Sequence, residues 1–243
     1  MKKYKFTDYT KNMYLNKKSR FWSYFNLLRI SKAKKLLKKY NSFKKVIEFG
    51  SYDLFFITQI KDIIKSKKNS AFYFTDLYDE ELLSIAKHNL SLIKKESPLI
   101  NFRIIASSGE KINENLKENF DSVFIFETLE HVQDEEKTIV NINNLLNKGG
   151  YVFVGAPVEF GLFFFLKELG RLLILGKTNH SAKEMFFASI GKMKKVKRVI
   201  GSHKGYDYRN TIKLFEKESL KLVEKIYYPS KLTPYGVILV FKK

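Results

Sequence analysis

The feature that most limits how this chain can fold is an alternation of short, nearly continuous apolar runs with segments of helical period. The runs are KKVIEF (44–49), AFYFTDL (71–77), INFRII (100–105), DSVFIF (121–126) and YVFVGAP (151–157). A strand with apolar residues at successive positions has no face for water, so it belongs in a sheet covered on both sides. The segments between them repeat their apolar residues every three or four positions, as helices do. Strands three to five are expected to have no wet face at all. This order predicts an α/β fold with a mostly parallel sheet and helices on both faces. Near the end, LKLVEKIYYP and YGVILVFKK read as a closing pair of strands.

Local signals place the helix ends. DLFFITQIKDIIKSKK is expected to be one helix with Asp53 as its N-cap. DEELLSIAKHNLSLIKK carries acidic residues in its first turn, where the helix dipole favours them. In DEEKTIVNINNLLNKGG, Ile139, Ile142, Leu145 and Leu146 share a face, and Gly149 is expected to close the helix in a left-handed turn.

The pattern divides the chain into a helical segment (1–43), a sheet core (44–157), an insertion (158–207) and a C-terminal helix with the strand pair (208–243). The first segment contains a basic amphipathic helix, LLRISKAKKLLKKY. The insertion opens with VEFGLFFFLKELGRLLILGK, too short for a membrane span and interrupted by Lys167, Glu168 and Arg171. It reads as a helical lid, and its stretch 160–175 also fits an interfacial helix touching lipid.

There are no cysteines in the 243 residues, which excludes disulfides, Cys-ligated metal centres and a thiol nucleophile. A reducing cytoplasm is the default compartment, with peripheral contact at the inner membrane face through 160–175 and the basic surface. The start MKKYKFTDYT has no apolar run behind it, so no secretory leader is expected. A net charge of +20 invites a nucleic-acid partner. Only six of the 45 basic residues are Arg, however, and arginine forks are what a dedicated RNA binder uses. Nucleic acid is therefore not the expected partner.

In an open parallel sheet, ligands bind at the carboxyl ends of the strands near the switch in strand order. Strand one ends in Glu48 and Gly50, a tight turn whose amides can face a ligand. Strand two ends in Asp76, 26 residues after Gly50, where an acid can accept both hydroxyls of a ribose. The fourth strand runs into FDSVFIFETLEHVQDEEKTIVNINNLLNKGGYVFVGAP (120–157). That block resembles the class I S-adenosylmethionine-dependent methyltransferases, especially the branch of the ubiquinone-biosynthesis O-methyltransferases. The matching residues are Phe120-Asp121, Glu127, Leu129-Glu130-His131-Val132, Asp134, Gly149-Gly150 and Pro157.

The resemblance implies a seven-stranded Rossmann-like sheet, with S-adenosylmethionine as cofactor. It implies that Glu48 holds the methionyl amino group and that Gly50 and Ser51 let the backbone approach the methionine end. Asp76 would bind the ribose and Leu77 would lie against the adenine, while Phe126 and Glu127 border the cofactor. Ser107 and Ser108 stand where the family places an acid on the adenine amine. Two departures follow Gly50: Tyr52 and Leu54 replace the second and third loop glycines, and a side chain at Tyr52 crowds the methionine end unless it turns outward.

His131 is a candidate base for methyl transfer to oxygen, or a structural residue of the turn after strand four. His203, in SHKGYDYR (202–209), is the second candidate. That stretch reads equally as acceptor pocket or as a helix-entry loop capped by Asp207. Glu127 and His131 alone are too few to ligate a metal, and no metal is expected. The expected reaction is methylation, at oxygen, of a small-molecule, glycan or lipid-linked acceptor. An RNA methyltransferase and a non-catalytic scaffold with a degenerate loop remain as rivals.

Overall fold

The computed structural model describes residues 4–15, 20–40, 43–66, 68–114, 116 and 119–243. The remaining residues of the N-terminal segment, 1–3, 16–19 and 41–42, lie outside these. Seven strands form one sheet in the order β3-β2-β1-β4-β5-β7-β6. They are β1 (Lys45–Phe49), β2 (Ala71–Asp76), β3 (Asn101–Ala106), β4 (Phe120–Phe126), β5 (Leu146–Pro157), β6 (Lys221–Pro229) and β7 (Pro234–Lys242). β1 to β5 pair in parallel, while β7 runs antiparallel between β5 and β6. Strand order reverses between β1 and β4, so a crevice opens where these two strands end.

Adjacent residues on the central strands enter opposite cores, which is why the runs are apolar throughout. Ile47, Val123, Val152 and Val154 face one layer with Ile139, Ile142 and Phe215, from α6 (Glu135–Leu145) and α9 (Tyr208–Lys217). Val46, Phe72, Phe74 and Phe124 face the other. That layer is supplied by α2 (Arg20–Lys39), α3 (Phe55–Gln59), α4 (Lys61–Lys65) and α5 (Glu80–Glu96). The insertion folds into α7 (Gly161–Leu175), α8 (Ala182–Ser189) and a 3-10 turn (Met193–Lys195). These close over a small core of Phe164, Ala188, Met193 and Val196. A short helix, α1 (Asp8–Thr10), and a π-helical turn (Lys11–Leu15) precede α2.

Four local expectations need correction. The helix expected after Asp53 is broken at Ile60 into α3 and α4. Its N-cap position is Leu54, in a left-handed conformation without a side-chain cap. Asp53 still accepts from the Phe55 N–H (3.2 Å), but its other oxygen takes the backbone N–H and the hydroxyl of Thr7 (3.0 and 3.1 Å). Gly149 does have φ +79°, yet α6 ends at Leu145 and Gly149 lies within β5. β3 is an edge strand, and its Asn101, Arg103 and Ala106 are exposed.

Candidate functional site

The β1–α3 loop is built on three successive left-handed residues at alternate positions: Gly50 (φ +70°), Tyr52 (+49°) and Leu54 (+63°). The backbone course that glycines would follow is therefore kept by a tyrosine and a leucine, each at about 1–2 kcal/mol of strain. The strain is held by its surroundings. Leu54 is fully buried in the core, and the Tyr52 N–H donates to Asp76 Oδ2 at 2.8 Å. The Tyr52 ring turns towards the N-terminal segment and meets Tyr9 edge-on, with centroids 5.8 Å apart. Gly50 itself is required: a Cβ there would stand 2.1 Å from Thr128 Oγ1. A third strained residue, Glu127 (φ +51°), sits at the end of β4. Clustered strain of this kind marks functional sites.

The loop borders a cavity of about 450 Å³ lined by Glu48, Gly50, Ser51, Tyr52, Asp76, Phe126, Glu127, His131 and His203, among others. The sequence reading is thus brought together at those nine positions. Leu77 is exposed and lies off this lining. Ser107 and Ser108 are also off it. The Ser107 hydroxyl accepts from the Asn113 N–H (3.0 Å) and the Ser108 hydroxyl from the Lys111 N–H (3.0 Å), so both are turned into their own loop.

Glu48 is buried, and among the described residues its Oε2 has no hydrogen-bond partner. Burial, with the Asp76 charge adding to it, pushes its carboxyl well above the ordinary range. An orphaned acid at the floor of a cavity is a ready partner for a cationic amino group. Asp76 keeps two backbone donors, from Tyr52 (2.8 Å) and Leu77 (2.7 Å); burial still raises it. Both acids and the Gly50 cradle fit an amino acid–nucleoside ligand.

The N-terminal segment forms the roof, and Arg29 of α2 is the residue sequence reasoning missed. It is buried and forms an ion pair with Glu127 at 2.8 Å, while also donating to the Tyr14 hydroxyl. Its partner is 98 positions away, so nothing in the local pattern of a lysine-rich helix sets it apart. Thr7 on Asp53, and Lys5 paired through its backbone with Asn89, strap this segment over the loop.

At the other end, β4 leads into a turn carrying Glu130 and His131, and the insertion delivers His203. The Gly201 carbonyl lies 3.1 Å from His131 Nδ1. A carbonyl only accepts, so Nδ1 carries the hydrogen and Nε2 holds a free lone pair. Burial holds His131 below its usual value, keeping it neutral at neutral pH, and His203 adds to the effect. Glu130 is fully buried, with neither carboxylate oxygen hydrogen-bonded among the described residues. Burial pushes it well up, and Glu127 adds to the rise. His203 bridges two acids, with Nε2 3.7 Å from Glu130 Oε1 and Nδ1 3.7 Å from Glu159 Oε1. Glu130, His131 and His203 place ligand atoms within 4.8 Å of one another and could hold a divalent cation. The sequence offered Glu127 and His131 alone, too few for a metal, and Glu127 is taken by Arg29.

Of the two readings of the SHKGYDYR stretch, the helix-entry loop is the one its contacts show. Asp207 caps α9 by accepting from the Arg209 N–H (3.1 Å), while Tyr206 and Tyr208 are core residues.

A family model described as "Methyltransferase domain" matches residues 41–208. A search of curated proteins returned no match. Among solved structures, the N-methyltransferase NodS from Bradyrhizobium japonicum WM9, in complex with S-adenosyl-L-homocysteine, superposes with a TM-score of 0.56 at 14% identity. That match covers 90% of this chain and 87% of that one. A possible histamine N-methyltransferase from Thermotoga maritima gives 0.54 at 16% identity, covering 97% and 98%. A putative O-methyltransferase from Nostoc punctiforme gives 0.58 at 14%, and this chain, 90% covered, spans 57% of that protein's length. At these identities the likeness is one of fold. Together with the match over residues 41–208, it shows that the chain belongs to the methyltransferase-domain family, as a class I S-adenosylmethionine-dependent methyltransferase.

Proposed function

We propose that this enzyme methylates a hydroxyl of a small-molecule acceptor and that His131 and His203 stand at the acceptor. The observation that carries this reading is that both histidines line the large cavity and also a second cavity of about 280 Å³ under the insertion. S-adenosylmethionine, when bound, supplies an electrophilic methyl on a sulfonium. Glu48 would hold its amino group, Asp76 its ribose, and Gly50 and Ser51 would let the backbone close on it. Leu77, exposed directly after Asp76, is free to cover the adenine. Ser107 and Ser108, engaged in their own turn, are left out of this reading. His131, neutral and with Nε2 free, can take the acceptor proton, and His203 between two acids can relay it.

The test is methyl-labelled S-adenosylmethionine added with fractionated cell extract. Label is expected in a small-molecule fraction as a base-stable ether. Label in RNA, with binding that falls steeply with salt, contradicts the reading. The Glu130–His131–His203 trio supports a second reading in which a divalent cation polarises the acceptor. Turnover unchanged by chelator contradicts that one.

Two substitutions check the cofactor side. Asp76→Asn puts an amide N–H against one of two backbone donors and is expected to weaken S-adenosylhomocysteine binding about tenfold or more. Unchanged affinity in calorimetry removes Asp76 from the ribose role. Tyr52→Gly relieves backbone strain and loses only the Tyr9 contact, so affinity should stay within about threefold. A larger loss would show the ring packing on the cofactor.

No helix among the described residues is long and apolar enough to cross a membrane. Leu162, Leu166, Leu173 and Ile174 of α7 are nonetheless exposed, with Lys177 and Lys183 nearby in the chain. This pattern supports peripheral contact with an anionic lipid surface. Flotation with phosphatidylglycerol liposomes is the expected result, lost when the four are replaced by Ser.

A further inference from the structure

We propose that the cavity beneath the insertion is a recognition pocket for a neutral polyhydroxyl group, a sugar or polyol, read by His180 held in place by Glu168. This rests on the methyl-transfer reading above and names the acceptor class for it.

The pocket is lined by Glu159, Lys167, Glu168, Arg171, His180 and His203, with a few neighbours. Its charges are already matched from within. Lys167 donates to both oxygens of Glu159 (2.7 and 2.9 Å), and Arg171 pairs with Glu168 at 3.3 Å. Lys204, also on the lining, donates to Glu184 (2.9 Å) and to the Asn179 carbonyl (2.7 Å). An anionic or cationic ligand would have to break one of these pairs to be held. A neutral ligand that both donates and accepts can bind beside them, and hydroxyl groups do both.

One group in this pocket waits for such a partner. His180 is buried, its ring edge-on to Phe164 with centroids 5.0 Å apart, and its Nδ1 lies 3.3 Å from Glu168 Oε2. Glu168 is a firm acceptor. Burial works to raise it, but His180, the Thr178 hydroxyl (2.5 Å) and Arg171 outweigh that and hold it at about 2. A carboxylate can only accept, so Nδ1 carries the hydrogen, and Nε2 is left as the ring's second polar atom. Among the described residues, that Nε2 has no hydrogen-bond partner and is shielded. A ligand hydroxyl therefore reaches it only with a shift of the ring or of its pocket neighbours. A buried ring nitrogen without a partner needs an explanation, and a ligand hydroxyl, which can donate or accept, supplies one. Neighbouring hydroxyls of the same ring can donate to Glu159 and accept from Lys167.

Size and polarity exclude the alternatives. At about 280 Å³ the cavity is just below the ~300–1,000 Å³ usual for drug-sized ligands, so it takes a small polar group. The apolar groove lies elsewhere, between α7 and α8, lined by Leu162, Phe165, Leu172, Met185 and Phe186. His131 and His203 line both the polar pocket and the large cavity. A sugar seated on His180 therefore has a route by which another of its hydroxyls reaches these histidines.

The chain has four histidines, and His88 of α5 lines neither cavity, which makes imidazole ¹H–¹⁵N spectra a direct readout. The probes are methyl α-D-glucopyranoside, glucuronate, glucosamine and catechol, each titrated with and without S-adenosylhomocysteine. The glucoside is expected to shift the His180 resonances saturably and to leave His88 unmoved. His180→Ala and Glu168→Gln should each weaken glucoside binding about tenfold or more, with S-adenosylhomocysteine affinity unchanged. The proposal is overturned if the glucoside leaves His180 of the wild type unmoved, or if catechol or either charged sugar shifts it more strongly. Reading the wild type directly keeps the test valid should a variant unfold. Failure of S-adenosylhomocysteine to bind, with glucoside binding intact, overturns the transfer reading and not the pocket.

Discussion

Glu48→Gln should weaken S-adenosylhomocysteine binding by roughly 30- to 150-fold, about 2–3 kcal/mol, while making the empty protein more stable at neutral pH. Both effects follow from one buried acid. The raised Glu48 carboxyl means that the folded empty protein keeps a proton that the unfolded chain releases near the ordinary value of 4.5. Stability from this group is therefore full below 4.5 and falls as pH rises from there towards the raised folded value. The loss is about 1.4 kcal/mol per pH unit. Gln carries no such proton and escapes the loss. A bound ammonium group instead needs the carboxylate, so binding by the wild type should release a proton and tighten with rising pH. Calorimetry in buffers of different ionisation enthalpy reads that proton, and thermal melts read the stability. A melting temperature lowered by Glu48→Gln, or binding without proton release, contradicts this role.

Arg29→Ala is expected to destabilise the protein by about 3 kcal/mol, the lower end for a broken buried pair because Glu127 is partly exposed. Arg29 is itself buried, and the Glu127 charge favours its protonated form against the cost of burial. Without it, Glu127 and the Tyr14 hydroxyl lose their partner at the roof of the cavity. Denaturant unfolding measures the cost. Arg29→Lys should recover only part of it, since an ammonium cannot reach Glu127 and Tyr14 in the same planar geometry. A change below about 1 kcal/mol for Arg29→Ala would show the pair to be a surface-type contact.

Much of the sheet was legible because its burial is two-sided. Val46 and Ile47 enter different cores, and that leaves a continuous apolar run as its trace. β3 escaped the rule as an edge strand whose outward residues meet water. The break at Ile60 left no trace, since neither glycine nor proline marks it. Asp53 looked like a cap because it precedes a helix, but its second oxygen answers to Thr7, 46 positions away. Glu48, Gly50 and Asp76 were readable as strand-end residues, and their expected cofactor roles came only with the resemblance carried by residues 120–157. Where Tyr52 points was not readable, since that depends on Asp76 accepting its N–H and on Tyr9 lying across it. Glu130 stood in plain view within LEH, yet its isolation in the core, and its meeting with His203, are properties of the folded chain. Arg29 and the Glu168–His180 pair belong to segments outside the matched motif. Only the fold shows what they touch.

A loop with Tyr52 and Leu54 in place of glycines, holding the same left-handed backbone, is expected to form a working cofactor site. Isothermal calorimetry of the wild-type protein with S-adenosylhomocysteine tests it most directly. Saturable one-to-one binding, with a dissociation constant on the order of micromolar, is the expected result. No heat of binding, together with no thermal stabilisation at saturating ligand, would contradict it and leave the fold as a scaffold.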